Sequence, residues 1–222
     1  IVEAKPEAAR VTIDTPKLQG SISMLGGRID DLLLKSYHET EDPASPLVRL
    51  LSPVGKPNAY YALYGWSPSG DLEFDDVPGA NTEWAIDGNN TLKVDAPVTL
   101  LWANTKGQTF SRTISVDEDY MFSIKDQVKN SAATPVTLAA FGVVARHGKP
   151  VGLQNFYVLH EGVVGRTDGK LEELKYKKLL DLPVVERERA QAEVIEAQTD
   201  GWIGFTDKYW MTTLIPEQGK PF

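Results

Sequence analysis

Phe110-Ser111-Arg112-Thr113-Ile114-Ser115-Val116, then Asp117-Glu118-Asp119, then Tyr120-Met121-Phe122-Ser123-Ile124-Lys125-Asp126-Gln127-Val128 is the stretch that decides the fold class. Phe110, Ile114 and Val116 share one parity, and Ser111, Thr113 and Ser115 the other. Tyr120, Phe122, Ile124 and Val128 oppose Met121, Ser123, Lys125 and Gln127 in the same way. A repeat of two puts one apolar and one wet face on each segment, as expected for antiparallel strands packed on one side. A three-residue hairpin loop at Asp117-Glu118-Asp119 pairs Val116 with Tyr120, Ile114 with Phe122 and Arg112 with Ile124. Arg112 and Asp126 are then the charged exceptions on the apolar face. As diagonal cross-strand neighbours they are within reach of each other. The register therefore predicts a partly buried, structural Arg112–Asp126 ion pair.

The same grammar runs outward along the chain. Gly26-Gly27, Asp87-Gly88-Asn89-Asn90, Asn104 to Gly107, His147-Gly148-Lys149-Pro150 and Asp168-Gly169 are turn signals, because Gly and Asn tolerate positive φ and Pro presets a turn dihedral. Many short strands between turns predict an antiparallel all-β sandwich or barrel with little helix, rather than a βαβ fold. Residues 43–57 and 67–80 are rich in Pro, Gly, Ser and Asp and are expected to be long surface loops. Residues 185–198 favour helix by propensity but have sparse apolar positions and no good N-cap. A loop or short helical turn is expected there, then a charged edge strand near Glu193–Ala197. No internal repeat or convincing linker divides the chain, so residues 1–222 are expected to form a single domain.

Composition narrows the function classes. Of 222 residues, 41% are hydrophobic and 24% charged, ordinary values for a globular protein. The net charge of −8 disfavours nucleic acid and anionic membrane surfaces as partners. There is no cysteine, hence no disulfide, thiol catalysis or thiolate metal site. The longest apolar run, Leu138 to Ala145, is far short of the roughly 20 residues of a spanning helix. The chain opens at Ile1 without Met or a signal-peptide pattern, as expected of an excised or processed fragment.

Few residues invite a chemical reading. His38, His147 and His160 lie outside ligand spacing of one another. His160-Glu161 would suit acid–base work only if the two converged; strand neighbours diverge, and a polar turn or strand end is the simpler reading. Asp71, Glu73, Asp75 and Asp76 resemble a calcium loop superficially, without its spaced Gly and closing Glu, and are expected to be a solvated acidic loop. Gly201-Trp202-Ile203-Gly204 leads into an apolar strand and so is not a phosphate loop. Of the five tryptophans, Trp84 and Trp102 are expected in the core, with Trp202 and Trp210 also favoured there. Trp66, beside a long loop, is the better candidate for exposure, but core is favoured over sugar contact for it as well. No catalytic, cofactor-binding or metal-binding residue is assigned, and no cofactor is expected.

Three stretches together resemble the large first periplasmic domain of Gram-negative YidC-type membrane insertases. The first is Leu25-Gly26-Gly27-Arg28-Ile29-Asp30-Asp31-Leu32-Leu33-Leu34-Lys35-Ser36-Tyr37 with Ser45-Pro46-Leu47-Val48-Arg49-Leu50-Leu51-Ser52-Pro53. The second is Phe110-Ser111-Arg112-Thr113-Ile114, Asp119-Tyr120-Met121-Phe122 and Val128-Lys129-Asn130. The third is His160-Glu161-Gly162, Gly201 through Trp210, and Leu214-Ile215-Pro216. The resemblance implies a β-supersandwich similar to sugar mutarotases, held in the periplasm by an inner-membrane protein. It also implies a non-enzymatic accessory role, with membrane-protein substrates and Sec-translocon components as partners of the parent. The alternative is a carbohydrate-binding or mutarotase-like module using a sandwich cleft. Mutarotases place a Glu and His residues in that cleft, and no His pair here is clearly positioned for it.

Overall fold

A computed structural model of the chain describes residues 8–150 and 159–222. Ile1, on which the fragment expectation rests, lies outside them. The chain groups into two units, Ile1–Ala145 and Arg146–Phe222.

The first unit carries β1 (Arg10–Asp14), β2 (Leu18–Ser23), β3 (Arg28–His38), β4 (Leu47–Leu51), β5 (Tyr60–Ser69), β6 (Ala85–Asp87), β7 (Thr91–Leu92), β8 (Val98–Ala103), β9 (Gln108–Val116), β10 (Phe122–Asn130) and β11 (Thr137–Arg146), whose last residue opens the second unit. One sheet runs β11-β5-β3-β2-β1-β7, with β4 also on β3; the other runs β10-β9-β8-β6. The pairs β1–β2, β2–β3, β3–β4, β3–β5, β6–β8, β8–β9 and β9–β10 are antiparallel, and β1–β7 is parallel. Strand alternation builds the core: Val11, Ile13, Ile22, Leu92, Val98, Leu100, Phe110 and Ile114 are fully buried. Each contributes roughly 1.5–3 kcal/mol relative to exposure. A one-residue slip of β9 would turn Phe110 and Ile114 outward, so the register is strongly specified.

The second unit carries β12 (Gly162–Thr167), β13 (Lys170–Lys175), a single helical turn α1 (Tyr176–Leu179), β14 (Val184–Val185), β15 (Ala190–Gln191), β16 (Gly201–Thr206) and β17 (Met211–Leu214). Its sheet runs β13-β12-β16-β17, and β14 and β15 form a separate small hairpin. The fold is all-β and mostly antiparallel, as expected.

Four local expectations are corrected. In the β9–β10 hairpin Phe122 faces Val116, Ile124 faces Ile114 and Asp126 faces Arg112 directly. The loop is therefore Asp117–Met121, longer by two residues than expected. The Asp117 carboxylate accepts the N–H groups of Asp119 (2.7 Å) and Met121 (2.9 Å), and Tyr120 takes a positive φ of 75°. Residues 43–57 are not all loop, because Leu47–Leu51 forms β4 and buries Val48 and Leu51. No strand forms at Glu193–Ala197. Val184–Val185 pairs instead with Ala190–Gln191, and the Ala197 N–H and C=O are taken by Phe222 at 3.1 Å each. Trp102 is half-buried rather than core; it lies near the end of β8 with its ring 5.7 Å from the fully buried Phe110.

Candidate functional site

A connected polar arrangement lies on β1–β4 of the first unit. In a regular strand Asp30 and Asp31 would point to opposite faces. Here Ile22 pairs with Ile29 and Ser21 with Asp31, so Asp30 is the extra residue of a β-bulge. Both carboxylates thereby reach one cluster. Arg10 pairs with Asp30, donates from Nε to Ser21 Oγ at 2.7 Å and from Nη2 to the Ser21 carbonyl at 3.2 Å. Ser21 Oγ donates to Asp31 Oδ2 at 2.9 Å, and Arg49 pairs with Asp31 Oδ1. Asp30 is only 3% exposed, and its burial pushes its carboxyl above the usual aspartate range, with Arg10 opposing that shift. Arg10, Ser21, Asp31, Arg49, Ser52 and Lys56 line a cleft of about 390 Å³.

A second cluster is internal. Arg112, on β9, is fully buried. Its Nε and Nη2 donate to the two Asp126 oxygens at 2.7 Å each, and Nη1 donates to the Tyr64 carbonyl at 3.1 Å. The guanidinium lies 5.0 Å from the Trp84 ring and 5.6 Å from the Tyr64 ring. Gly27, at φ +60°, closes this pocket: a Cβ there would stand 3.2 Å from Trp84 Nε1 and 3.4 Å from Arg112 Nη1. The expected ion pair is present. It is bidentate and faces straight across the ladder rather than diagonally. In the second unit Asp207 gathers Arg146 (2.6 Å) and the Tyr176 hydroxyl (3.0 Å), while Tyr176 stacks on Phe205.

The residues singled out in the sequence mostly serve local structure. His160 Nε2 lies 2.7 Å from the Val163 carbonyl, and its Nδ1 faces Glu173 at 3.9 Å, not Glu161. His38 Nδ1 lies 2.6 Å from the Ser45 carbonyl, and His147 is exposed beyond β11. Of the acidic loop, Phe74–Asp76 forms a 3-10 turn. Asp76 accepts the Glu73 N–H and pairs with Lys106, each at 2.8 Å, and both partners hold its carboxyl below the usual range. Gly201–Gly204 lies in β16, where a Cβ on Gly204 would stand 1.9 Å from the Thr212 carbonyl, so this glycine permits close strand approach. Trp84 is buried; Trp66, Trp202 and Trp210 are half-buried, with Trp66 tilted on Phe110. Among the described residues no three His, Asp or Glu side chains are grouped for a metal ion. Sequence reasoning missed the Asp30–Asp31 cluster. Its signal was two adjacent carboxylates inside an otherwise apolar strand, Ile29 to Leu34.

Residues 10–222 match the family model for the YidC periplasmic domain. Proteins named membrane protein insertase YidC share 70% identity over 217 residues in Cereibacter sphaeroides, 58% over 215 in Dinoroseobacter shibae and 52% over 221 in Ruegeria pomeroyi. These matches cover 98%, 97% and 97% of this chain. They cover 35%, 35% and 36% of the relatives, so the chain spans about a third of their length. The match across nearly the whole chain, together with the all-β fold, shows that the chain belongs to the YidC periplasmic domain family.

Proposed function

We propose that the chain serves a membrane protein insertase as a non-catalytic accessory module on the periplasmic side. In this reading both units work as one periplasmic domain. It assists insertion and folding of inner-membrane proteins by contacting substrate segments and Sec-translocon components. The observation that carries the reading is the family match over residues 10–222, joined to relatives named as membrane protein insertases. The side-chain chemistry agrees with it. Acid–base catalysis needs groups converging on one reacting centre. His160 is instead engaged by Val163 and Glu173, Arg112 by Asp126, and Asp207 by Arg146 and Tyr176. The carbohydrate-binding alternative gains no geometric support from the tryptophans, of which Trp66 and Trp102 flank Phe110. Photoreactive residues placed at the exposed Ile86, Met121 and Tyr209 of the full-length parent test the partnership in native membranes. Adducts with translocon subunits or nascent membrane proteins are expected at one or more positions. Normal expression with no adduct at any of them would remove the claim of partner contact.

A further inference from the structure

We propose that the cleft over β1–β4 binds a phosphoryl group carried on a small hydroxyl- or ammonium-bearing molecule, the chemistry of a glycerophosphoryl headgroup. Three cations reach the cleft from different parts of the chain: Arg10 from β1, Arg49 from β4, and Lys56 from the turn closed by the Lys56 N–H on the Pro53 carbonyl. Arg10 is held from behind by the buried Asp30 and from the side by Ser21, so its guanidinium is preset rather than a mobile surface charge. Among the described residues its Nη1 has no hydrogen-bond partner. Among the described residues Arg49 is engaged through Nη1, on Asp31. Among the described residues neither Lys56 Nζ nor the Ser52 hydroxyl has a hydrogen-bond partner. Unused donors from two guanidiniums, an ammonium and a hydroxyl thus border one opening, and such a set suits the several oxygens of a phosphoryl group.

The charge balance supports an anion. Arg10, Arg49 and Lys56 stand against Asp31 on the wall and Asp30 beneath it, leaving one positive charge locally on a chain of net charge −8. Asp31 is the one lining carboxylate, and it can accept a hydroxyl or ammonium at the far end of the ligand. The cleft is open to solvent, and its volume of about 390 Å³ exceeds what inorganic phosphate needs. The phosphoryl group can come from a lipid headgroup or from a soluble phosphate ester.

The test uses this chain with side-chain NMR of arginine Nε and lysine Nζ during titration with glycerol 1-phosphate. Flotation with phosphatidylglycerol–phosphatidylcholine vesicles, against phosphatidylcholine alone, runs beside it. Arg49→Gln combined with Lys56→Gln removes two exposed donors without touching the core, and Lys125→Gln on β10 is the control. Saturable shifts confined to Arg10, Arg49 and Lys56 are expected below about 10 mM ligand, weakened at least about tenfold in the double variant and unchanged in the control. Vesicle flotation lost in the double variant assigns a lipid source, and response to the soluble ester alone assigns a soluble one. If neither ligand binds, or binding survives undiminished in a folded double variant, the proposal is overturned.

Discussion

Replacing Asp126 with Leu removes the one carboxylate paired with Arg112 among the described residues, and the structure lets the cost be worked out. The guanidinium is fully buried and cannot shed its proton, so it stays charged in the core. It keeps the Tyr64 carbonyl at 3.1 Å and the flanking Trp84 and Tyr64 rings, which soften the loss without cancelling it. An uncompensated buried charge of this kind costs about 3–5 kcal/mol. The converse change, Arg112→Met, leaves Asp126 on the edge strand β10 with its side chain 14% exposed. That carboxylate can turn to water, so the expected cost is smaller, about 1–3 kcal/mol. Arg112→Met with Asp126→Leu restores an apolar contact of similar volume. The coupling energy from the cycle should be on the order of 2–4 kcal/mol, with Asp126→Leu the worse single change. Urea unfolding at pH 7 followed by tryptophan fluorescence supplies the free energies, with m-values compared between variants. A coupling indistinguishable from zero, or an Asp126→Leu cost below about 1 kcal/mol, would refute the buried-pair reasoning.

Three further outcomes follow from individual sites. Asp168 accepts N–H groups from Gln198, Thr199 and Asp200 at 2.7–3.1 Å, which hold its carboxyl well below the usual range. A depressed native pKa stabilises the fold above the unfolded value of about 3.9 and loses that contribution as pH falls toward the native value. The protection of the Thr199 and Asp200 amides, measured against their intrinsic exchange rates, should therefore fall on acidification below about pH 4, and Asp168→Asn should flatten that dependence. Gly204→Ala drives a Cβ toward the Thr212 carbonyl and should cost at least about 1–3 kcal/mol, read as faster exchange along β17. Replacing His160 with Ala and Glu161 with Gln should cost about 0.5–1.5 kcal/mol through the lost Val163 contact, while insertion by the parent stays unchanged. Mutarotation by the purified chain that vanished in this double variant would count against a non-catalytic module.

The period-two pattern carried the fold class and the ion pair because a shift of two residues preserves faces. The β9–β10 register differs from the expected one by such a shift, and Arg112 and Asp126 still meet. The loop length was not legible, because it depends on the Asp117 side chain bonding its own turn and on a left-handed Tyr120. Strand β4 was hidden by the Pro and Ser residues around it, although Val48 and Leu51 hold the strand's buried positions. The Asp30–Asp31 cluster was illegible for a different reason. Two adjacent carboxylates in an apolar run were visible, but alternation assigns neighbours to opposite faces, and the bulge that brings both to one cluster follows from pairing rather than from composition. The hairpin β14–β15 displaced the expected edge strand at 193–197 through a pairing that propensity does not encode.

Deleting this domain from a full-length parent, with the flanking membrane segments rejoined, and measuring insertion of a model inner-membrane protein at matched expression tests the accessory role most directly. Most of the insertion activity should survive, with the deficit confined to substrates or conditions that need the periplasmic contact. A well-expressed, membrane-integrated deletion that inserts nothing would contradict it.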